Sequence, residues 1–319
     1  EMRKIKVLVL GVGGNVSQGI IKALKHSKLD LYIVGACVTT DNVGYLWCDK
    51  HDISPYASDE KFIPWVIETC QKEEIDIILT GVEENILALA KNIERIKEKT
   101  NAIFISADYE HLCIGQDKYE TCQWLKENGC NYPEYALLTD TDGVKQLIEK
   151  HGFPLLVKPR AGKSAQGVQK IKTQEELDAL KPDADMVLEE YLGSADEEYT
   201  AGCYDGHFII MHRELKNGTT YKAEVVDDAV IQQEVEKIYK KFGQAGPLNV
   251  QLRKTEDGRA VCFELNVRFS GTTAMRANFG FEDVKAMLME YVLKEDSASC
   301  FQIRHGKAWR YDEEVYRFE

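Results

Sequence analysis

Residues 248–269, LNVQLRKTEDGRAVCFELNVRF, restrict the fold more than any other stretch. Two alternating runs flank Thr-Glu-Asp-Gly, and Asp257-Gly258 is a strong signal for a two-residue hairpin loop. With that loop Glu256 pairs with Arg259. Counting outward sets Gln251 opposite Glu264 and Asn249 opposite Asn266. Side chains alternate along a strand, so Asn249, Gln251, Glu264 and Asn266 share one face. Leu248, Val250, Leu252, Val261, Phe263 and Leu265 then fill the other face, against a core.

A sheet face that gathers amide and carboxylate oxygens suits a hard cation. Mg²⁺ takes such oxygens and shares its shell with water and substrate phosphates. Arg268 prolongs the polar line, and a guanidinium matches phosphate geometry. An ordinary solvated hairpin face bearing Glu and Asn has the same pattern, so the hairpin alone leaves both readings open.

At 319 residues the chain has room for two or three subdomains and a sizeable core. Its formal net charge of −13 argues against nucleic acid or an anionic membrane as the main partner. An anionic ligand must then be met by a local cluster of Lys and Arg. No run of about 18 apolar residues is present, so no membrane-spanning helix is expected. Residues 1–4 lead straight into an apolar run with no signal-peptide pattern. The nine cysteines form no CxxC, are odd in number and sit mostly in apolar periodic segments. They read as reduced core thiols of a cytoplasmic protein.

The first third alternates apolar strands (5–10, 31–38, 75–80, 102–106) with helices (16–26, 62–72, 83–98). That alternation predicts a parallel, doubly wound α/β domain. Its first turn, Gly11-Val12-Gly13-Gly14, invites a dinucleotide-binding reading. A GxGxxG fingerprint requires glycine at 16, where Val16 stands, and no acid ends the second strand. Close packing of helix on strand also explains the glycines. An NAD(P)-dependent oxidoreductase built on this domain stays as an alternative.

Beyond residue 115 the pattern turns to antiparallel hairpins, α+β in character. A helix over 116–129 opens with Asp117-Lys118, and a strand over 133–138 and a helix over 142–151 follow. An apolar strand then delivers Lys158. The loop 162–167, Gly-Lys-Ser-Ala-Gln-Gly, lets backbone N–H groups approach phosphate oxygens, with Lys158 and Lys163 to balance charge. A plain surface hairpin has the same composition. Thr173-Gln174-Glu175-Glu176 is a capping box. A strand over 186–192 carries Glu189-Glu190-Tyr191-Leu192, Glu198 opens the next, Asp205-Gly206 turns a second hairpin, and a helix spans 228–242.

Taken in order, these elements resemble the ATP-grasp superfamily, and most of all the ATP-binding halves of the carbamoyl phosphate synthetase large chain. The elements are Lys118, Lys158 with its loop, Glu189-Glu190-Tyr191-Leu192, Glu198, and the Gln251/Glu264/Asn266 hairpin with Arg268. The resemblance covers residues 116–292 and extends to the domain before them. Its most specific stretch is Asn249-Val250-Gln251 followed by 263–270, FELNVRFS. It implies an α/β Rossmann-like (pre-ATP-grasp) domain over 1–115, then an α+β ATP-grasp domain made of two subdomains. These would be 116–187, with the phosphate lid, and 188–319, with the metal site.

By the same resemblance, Lys118 and Lys158 contact the phosphates of ATP, and Gly162, Lys163, Ser164 and Gly167 belong to a flexible lid. Glu189 and the backbone of Tyr191 and Leu192 take the adenine edge, and Glu198 takes the ribose hydroxyls. Gln251, Glu264 and Asn266 hold Mg²⁺ (or Mn²⁺). Arg268 meets the γ-phosphate or an acyl phosphate, with Lys158 and Asn266 beside it in the catalytic set. The lid has fewer glycines than the synthetase's, which leaves open which of its atoms touch phosphate. Arg213 and Arg276 are the candidates for binding a substrate carboxylate.

The activity implied is ADP-forming ligation of a small-molecule carboxylate to an amine or a thiol, through an acyl phosphate. The chain is too short for a second ATP-grasp copy, so a stand-alone ligase is expected, as a possible homodimer. An ATP-binding regulatory protein without turnover is the remaining alternative. Retention of Glu264 with its two amide partners counts against it.

Overall fold

The computed structural model describes residues 4–162, 166–243 and 245–318. β1 (Ile5–Leu10), β2 (Leu31–Cys37), β3 (Lys50–Ile53) and β4 (Ile77–Thr80) form a parallel sheet in the order β3-β2-β1-β4. β1 alternates its apolar side chains between two cores, which is why it reads as a continuous apolar run. Val7 and Val9 pack with Ile20 and Leu24 of the helix Asn15–His26. Leu8 and Leu10 pack with Ile63 and Val66 of the helix Phe62–Glu73.

Three local expectations change here. β3, Lys-His-Asp-Ile, is largely exposed and carries too little apolar signal to be seen in the sequence. Residues 102–106 contribute only a parallel bridge, Ile77↔Ile103. The helix expected over 83–98 breaks at Asn92 (φ −114, ψ 18) into Glu83–Lys91 and Ile93–Lys99.

β5 (Tyr135–Leu137), β6 (Leu155–Pro159), β7 (Gln169–Ile171) and β8 (Met186–Glu190) form a small antiparallel sheet, order β5-β8-β6-β7. It buries Leu155, Val157 and Leu188 against Leu147 of the helix Thr141–His151. The expected subdomain boundary between 187 and 188 falls inside β8, all of which belongs to this sheet. The helix expected over 116–129 is present as Lys118–Glu127, and a further helix, Tyr109–Gln116, runs into it. Asp117 separates them by capping the second, accepting from the N–H of Tyr119 at 2.9 Å.

The largest sheet is antiparallel and runs β13-β12-β9-β10-β11-β14. Its strands are β9 (Glu198–Tyr204), β10 (His207–Lys216), β11 (Thr219–Val225), β12 (Leu248–Lys254), β13 (Ala260–Asn266) and β14 (Lys307–Trp309). One face lies on the helix Ala229–Phe242 through Ile231, Val235, Ile238 and Phe242. Met211 of β10 and Ala223 of β11 instead join Val7 and Ile20 of the first sheet and helix, together with Phe281 and Met287. A shared core thus ties the parallel sheet to the largest one.

The β12–β13 hairpin departs from its expected turn. The Thr255 N–H donates to the Arg259 carbonyl and the Gly258 N–H to the Thr255 carbonyl, both at 2.9 Å. The loop therefore holds three residues, Glu256-Asp257-Gly258, with Gly258 at φ 81. Pairing near the turn shifts by one, to Lys254↔Ala260 and Leu252↔Cys262, and a bulge beside Gln251 then restores Gln251↔Glu264 and Asn249↔Asn266. Loop and bulge cancel, so the register at the site is the expected one. The side chains near the bulge are not. Cys262 joins Leu248, Val250, Leu252 and Leu265 in the core, whereas Val261 is buried outside that cluster and Phe263 turns away from it.

Among the described residues, no helix is long and apolar enough to cross a membrane.

Candidate active site

A cavity of about 260 Å³ opens between the small and the largest sheets. The small sheet supplies one wall. β6 pairs with β8 so that Lys158 lies opposite Val187 and Leu156 opposite Glu189, which puts Lys158 and Glu189 on one face. The Lys158 ammonium donates to Glu189 Oε2 at 2.5 Å, and both side chains are buried. Burial works against the charge on Lys158, but the charge and hydrogen bond of Glu189 outweigh it and hold the pKa above the usual lysine value. A fixed cation therefore stands in this wall. Beside it the Cys122 thiol is pushed well above its ordinary pKa, by burial first and then by Glu189, which disqualifies it as a nucleophile. Lys118 reaches in from the start of its helix, donating to the Gly162 carbonyl at 3.5 Å. Asp117 accepts from Arg160 Nη2 at 2.7 Å and so pins that helix to the end of β6.

The largest sheet supplies the opposite wall. β9 and β12 pair Glu198 with Arg253 and Thr200 with Gln251. Glu198 is clamped between two guanidinium groups: Arg213 Nη2 donates to Oε1 at 2.6 Å and Arg253 Nη2 to Oε2 at 3.0 Å. Arg213 Nη2 also donates to Gln251 Oε1 at 2.9 Å. Farther along, the Glu264 carboxylate and the Asn266 amide face the cavity, with no side-chain hydrogen bond or ion pair among the described residues. Asn266 is only 5% exposed. The half-buried Glu264 carboxylate and the buried Asn266 amide, both open to the cavity, with a third oxygen on Gln251, fit a hard cation such as Mg²⁺. Phe263 faces the cavity between them and the small sheet, with Lys158 Nζ 5.5 Å from the ring centroid.

The parallel sheet also takes part. Arg268 donates through Nε to Glu83 Oε1 at 2.9 Å and through Nη1 to the Phe269 carbonyl at 3.0 Å. Glu83 opens the helix Glu83–Lys91, so the orientation of Arg268 is set from 185 residues away.

Most of the expected site residues line this cavity, but several do not. Lys163 and Ser164 lie outside the described residues. Gly167 (φ 75) turns the chain against Pro159, where a Cβ would come within 2.8 Å of Cγ. The Tyr191 ring is turned to Lys170, whose ammonium sits 3.9 Å from its centroid. Glu189 is on the wall, but Lys158 holds its carboxylate, and Glu198 is held by its two arginines. Both oxygens of Glu198 are held by guanidinium groups, whereas Glu189 Oε1 meets only the Cys122 thiol at 3.8 Å. Asn249 lies fully buried behind the polar face, accepting from Thr200 Oγ1 at 3.1 Å.

Arg276 is the clearest correction. It is fully buried, donating to Asp283 Oδ2 at 2.7 Å and to Asn249 Oδ1 at 3.3 Å. It crosses Gly202 so closely that a Cβ there would stand 2.6 Å from Nη1. A guanidinium in that position holds the fold and cannot reach a substrate carboxylate. Arg213 is on the wall, already bound to Glu198 and Gln251. Sequence reasoning also missed Arg253 and Phe263. Arg253 stands two residues from Gln251 on the same strand, so alternation would have found it. Phe263 was hidden by the bulge.

A family model described as "ATP-grasp in the biosynthetic pathway with Ter operon" matches residues 183–313. The chain is 24% identical over 277 residues to a carbamoyl-phosphate synthase of Methanobrevibacter smithii, covering 77% of this chain and 72% of that one. It is 21% identical over 302 residues to the carbamoyl phosphate synthase large chain of Pseudothermotoga lettingae, covering 85% of this chain but only 26% of that one. Its fold matches that of N5-carboxyaminoimidazole synthetase from Staphylococcus aureus, crystallised with ADP, at a TM-score of 0.68. That match has 17% identity and covers 96% of this chain and 81% of the other. A family model over part of the chain, the relatives and the fold thus agree in likening this chain to the ATP-grasp ligases.

Proposed function

We propose that this chain uses MgATP to activate a small carboxylic acid and joins it to an amine, forming ADP and phosphate. The observation that carries this reading is the pair of unpartnered oxygen donors, Glu264 and Asn266, facing the buried Lys158 ammonium across one cavity. The first 115 residues serve as the Rossmann-like (pre-ATP-grasp) domain, and residues 116–319 as the ATP-grasp domain, with its two subdomains meeting at the cavity.

A carboxylate resists attack by an amine because its leaving group is poor. Transfer of the γ-phosphoryl group to a carboxylate oxygen, with ADP leaving, gives an acyl phosphate. The amine nitrogen then attacks the acyl carbon, the C–O bond to phosphate breaks with its electron pair, and the amine loses a proton. The chain's residues position and neutralise rather than bond covalently. Lys118, Lys158 and the backbone at Gly162 cradle phosphates. The backbone at Tyr191 and Leu192 receives the adenine edge, and Glu198 takes the ribose after loosening its hold on one arginine. Gln251, Glu264 and Asn266 would hold Mg²⁺, which supplies charge neutralisation at the transferred phosphoryl group. Arg268, fixed by Glu83, meets the same group from the other side.

The test is ADP release with Mg²⁺, ATP and a panel of carboxylate–amine pairs. We expect turnover with at least one pair, lost in Glu264→Ala and in Lys118→Ala while both variants stay folded. Undiminished ADP formation by Glu264→Ala would remove the metal assignment.

A further inference from the structure

Arg213, Arg253 and Arg268 on the cavity wall each have a carboxylate partner, whereas Arg310 has none among the described residues. Arg310 follows β14 directly, and its hydrogen-bond partners are neutral. Nη1 donates to Asn15 Oδ1 at 2.6 Å and Nη2 to the Gly271 carbonyl at 2.7 Å. Both acceptors lie on the cavity wall. Burial alone pulls the guanidinium below its usual pKa, with no neighbouring carboxylate to oppose it. Two of its five N–H donors are used, which leaves three for a further acceptor.

The corner is built from three distant parts of the chain. Asn15 opens the first helix, Gly271 follows β13, and Arg310 lies 295 residues beyond Asn15. By accepting from Arg310 through Oδ1, Asn15 turns Nδ2 toward Gly271, where an added Cβ would lie 2.9 Å from it. Arg268 bonds the Phe269 carbonyl and Arg310 the Gly271 carbonyl. Two residues of chain span at most about 7 Å, so the two guanidinium groups flank a single short loop.

We propose that Arg310, oriented by Asn15 and Gly271, anchors the carboxylate of the acceptor substrate, a small carboxylic acid. This rests on the ligase reading above and deepens it: Arg268 faces the phosphoryl group, and Arg310 the acid. A bidentate guanidinium–carboxylate pair supplies both the charge and the planar fit. The role sought in Arg276 falls to a residue 34 positions farther along the chain, bonded to two residues of the cavity wall instead of sealed in the core.

The test is thermal unfolding of the full chain, with and without MgADP, against acetate, L-alanine, succinate, L-glutamate and inorganic phosphate. We expect at least one carboxylate to raise the wild-type melting temperature beyond MgADP alone. Arg310→Ala should weaken that response tenfold or more and leave the MgADP response in place, with Arg310→Lys in between. Asn15→Asp separates binding from structure, because the new carboxylate pairs with Arg310, keeps the corner folded and fills the anion's place. It should melt no lower than wild type and lose the carboxylate response, which a purely structural Arg310 would leave intact. A carboxylate response that survives in Asn15→Asp overturns the proposal, as does a wild type that answers to no carboxylate or to phosphate alone. A carboxylate response that is lost in Asn15→Asp, in a wild type blind to MgADP, would support this site and sink the ligase reading instead.

Discussion

Two cavities of this molecule differ in a way that volume does not reveal. The larger, about 900 Å³, opens beyond the carboxyl ends of the parallel strands, beside Gly11, Val82 and Asn85. Doubly wound sheets commonly hold ligands there. The smaller, about 260 Å³, lies between the antiparallel sheets. Lys91 and Arg95 of the larger are exposed side chains on a helix surface. In the smaller, Lys158, Glu189, Glu198, Arg213 and Asn266 are all buried to within 7% of full enclosure. Burying that many polar groups is costly unless they are organised for a ligand or for each other. Converging buried charge, more than empty space, sets the smaller cavity apart as the candidate site.

The comparison can be broken at its strongest point by activity. Glu264→Ala should lower ADP formation at least about 10²-fold, the scale of removing one group that stabilises developing charge. Arg95→Ala in the larger cavity should leave it unchanged within the scatter of the assay. The reverse pattern would move the active site to the parallel sheet. The next effect separates charge that serves the fold from charge that serves the site. Arg276→Ala strands Asp283 in the core and should cost about 3–5 kcal/mol in urea unfolding. Arg276→Met combined with Asp283→Leu should recover most of that. A loss under about 1 kcal/mol for the single variant would mean that Arg276 is not the buried anchor described.

The smallest effect lies away from both cavities. Asp228 caps the helix Ala229–Phe242, accepting from the N–H groups of Val230 and Ile231. Burial opposes its charge, but Lys254 and the Ile231 N–H outweigh burial and hold the carboxyl below its usual 3.8. The lowered folded pKa means that the stabilisation is full above the unfolded value and is lost as pH falls through the folded one. Asp228→Ala should therefore cost about 1 kcal/mol near neutrality. The difference from wild type should shrink below pH 3.8, as followed by urea midpoints at several pH values. A gap that persists in acid would assign the effect to packing.

What the sequence revealed depended on range. Alternation and turn residues placed Gln251 opposite Glu264, because the pairing rule acts within one hairpin. Even there the agreement needed two departures to cancel, a longer loop and a bulge at Phe263 that no local pattern announces. β3 went unseen because exposed polar residues carry no periodic apolar signal. The ties that orient the site were out of reach: Glu83 to Arg268 and Asn15 to Arg310 join residues 185 and 295 positions apart. Arg276 shows the opposite failure. In sequence it is one more arginine near a glycine-rich turn, and only the packing around Gly202 and Asp283 buries it.

The most direct measurement is thermal unfolding of the chain with MgATP, with NADH, and with neither. A ligand at about 100 times its Kd adds about 2.7 kcal/mol of stability. We expect a clear rise with ATP that disappears when Mg²⁺ is chelated, and none with NADH. A rise with NADH alone would place the active site in the larger cavity and contradict the ligase reading.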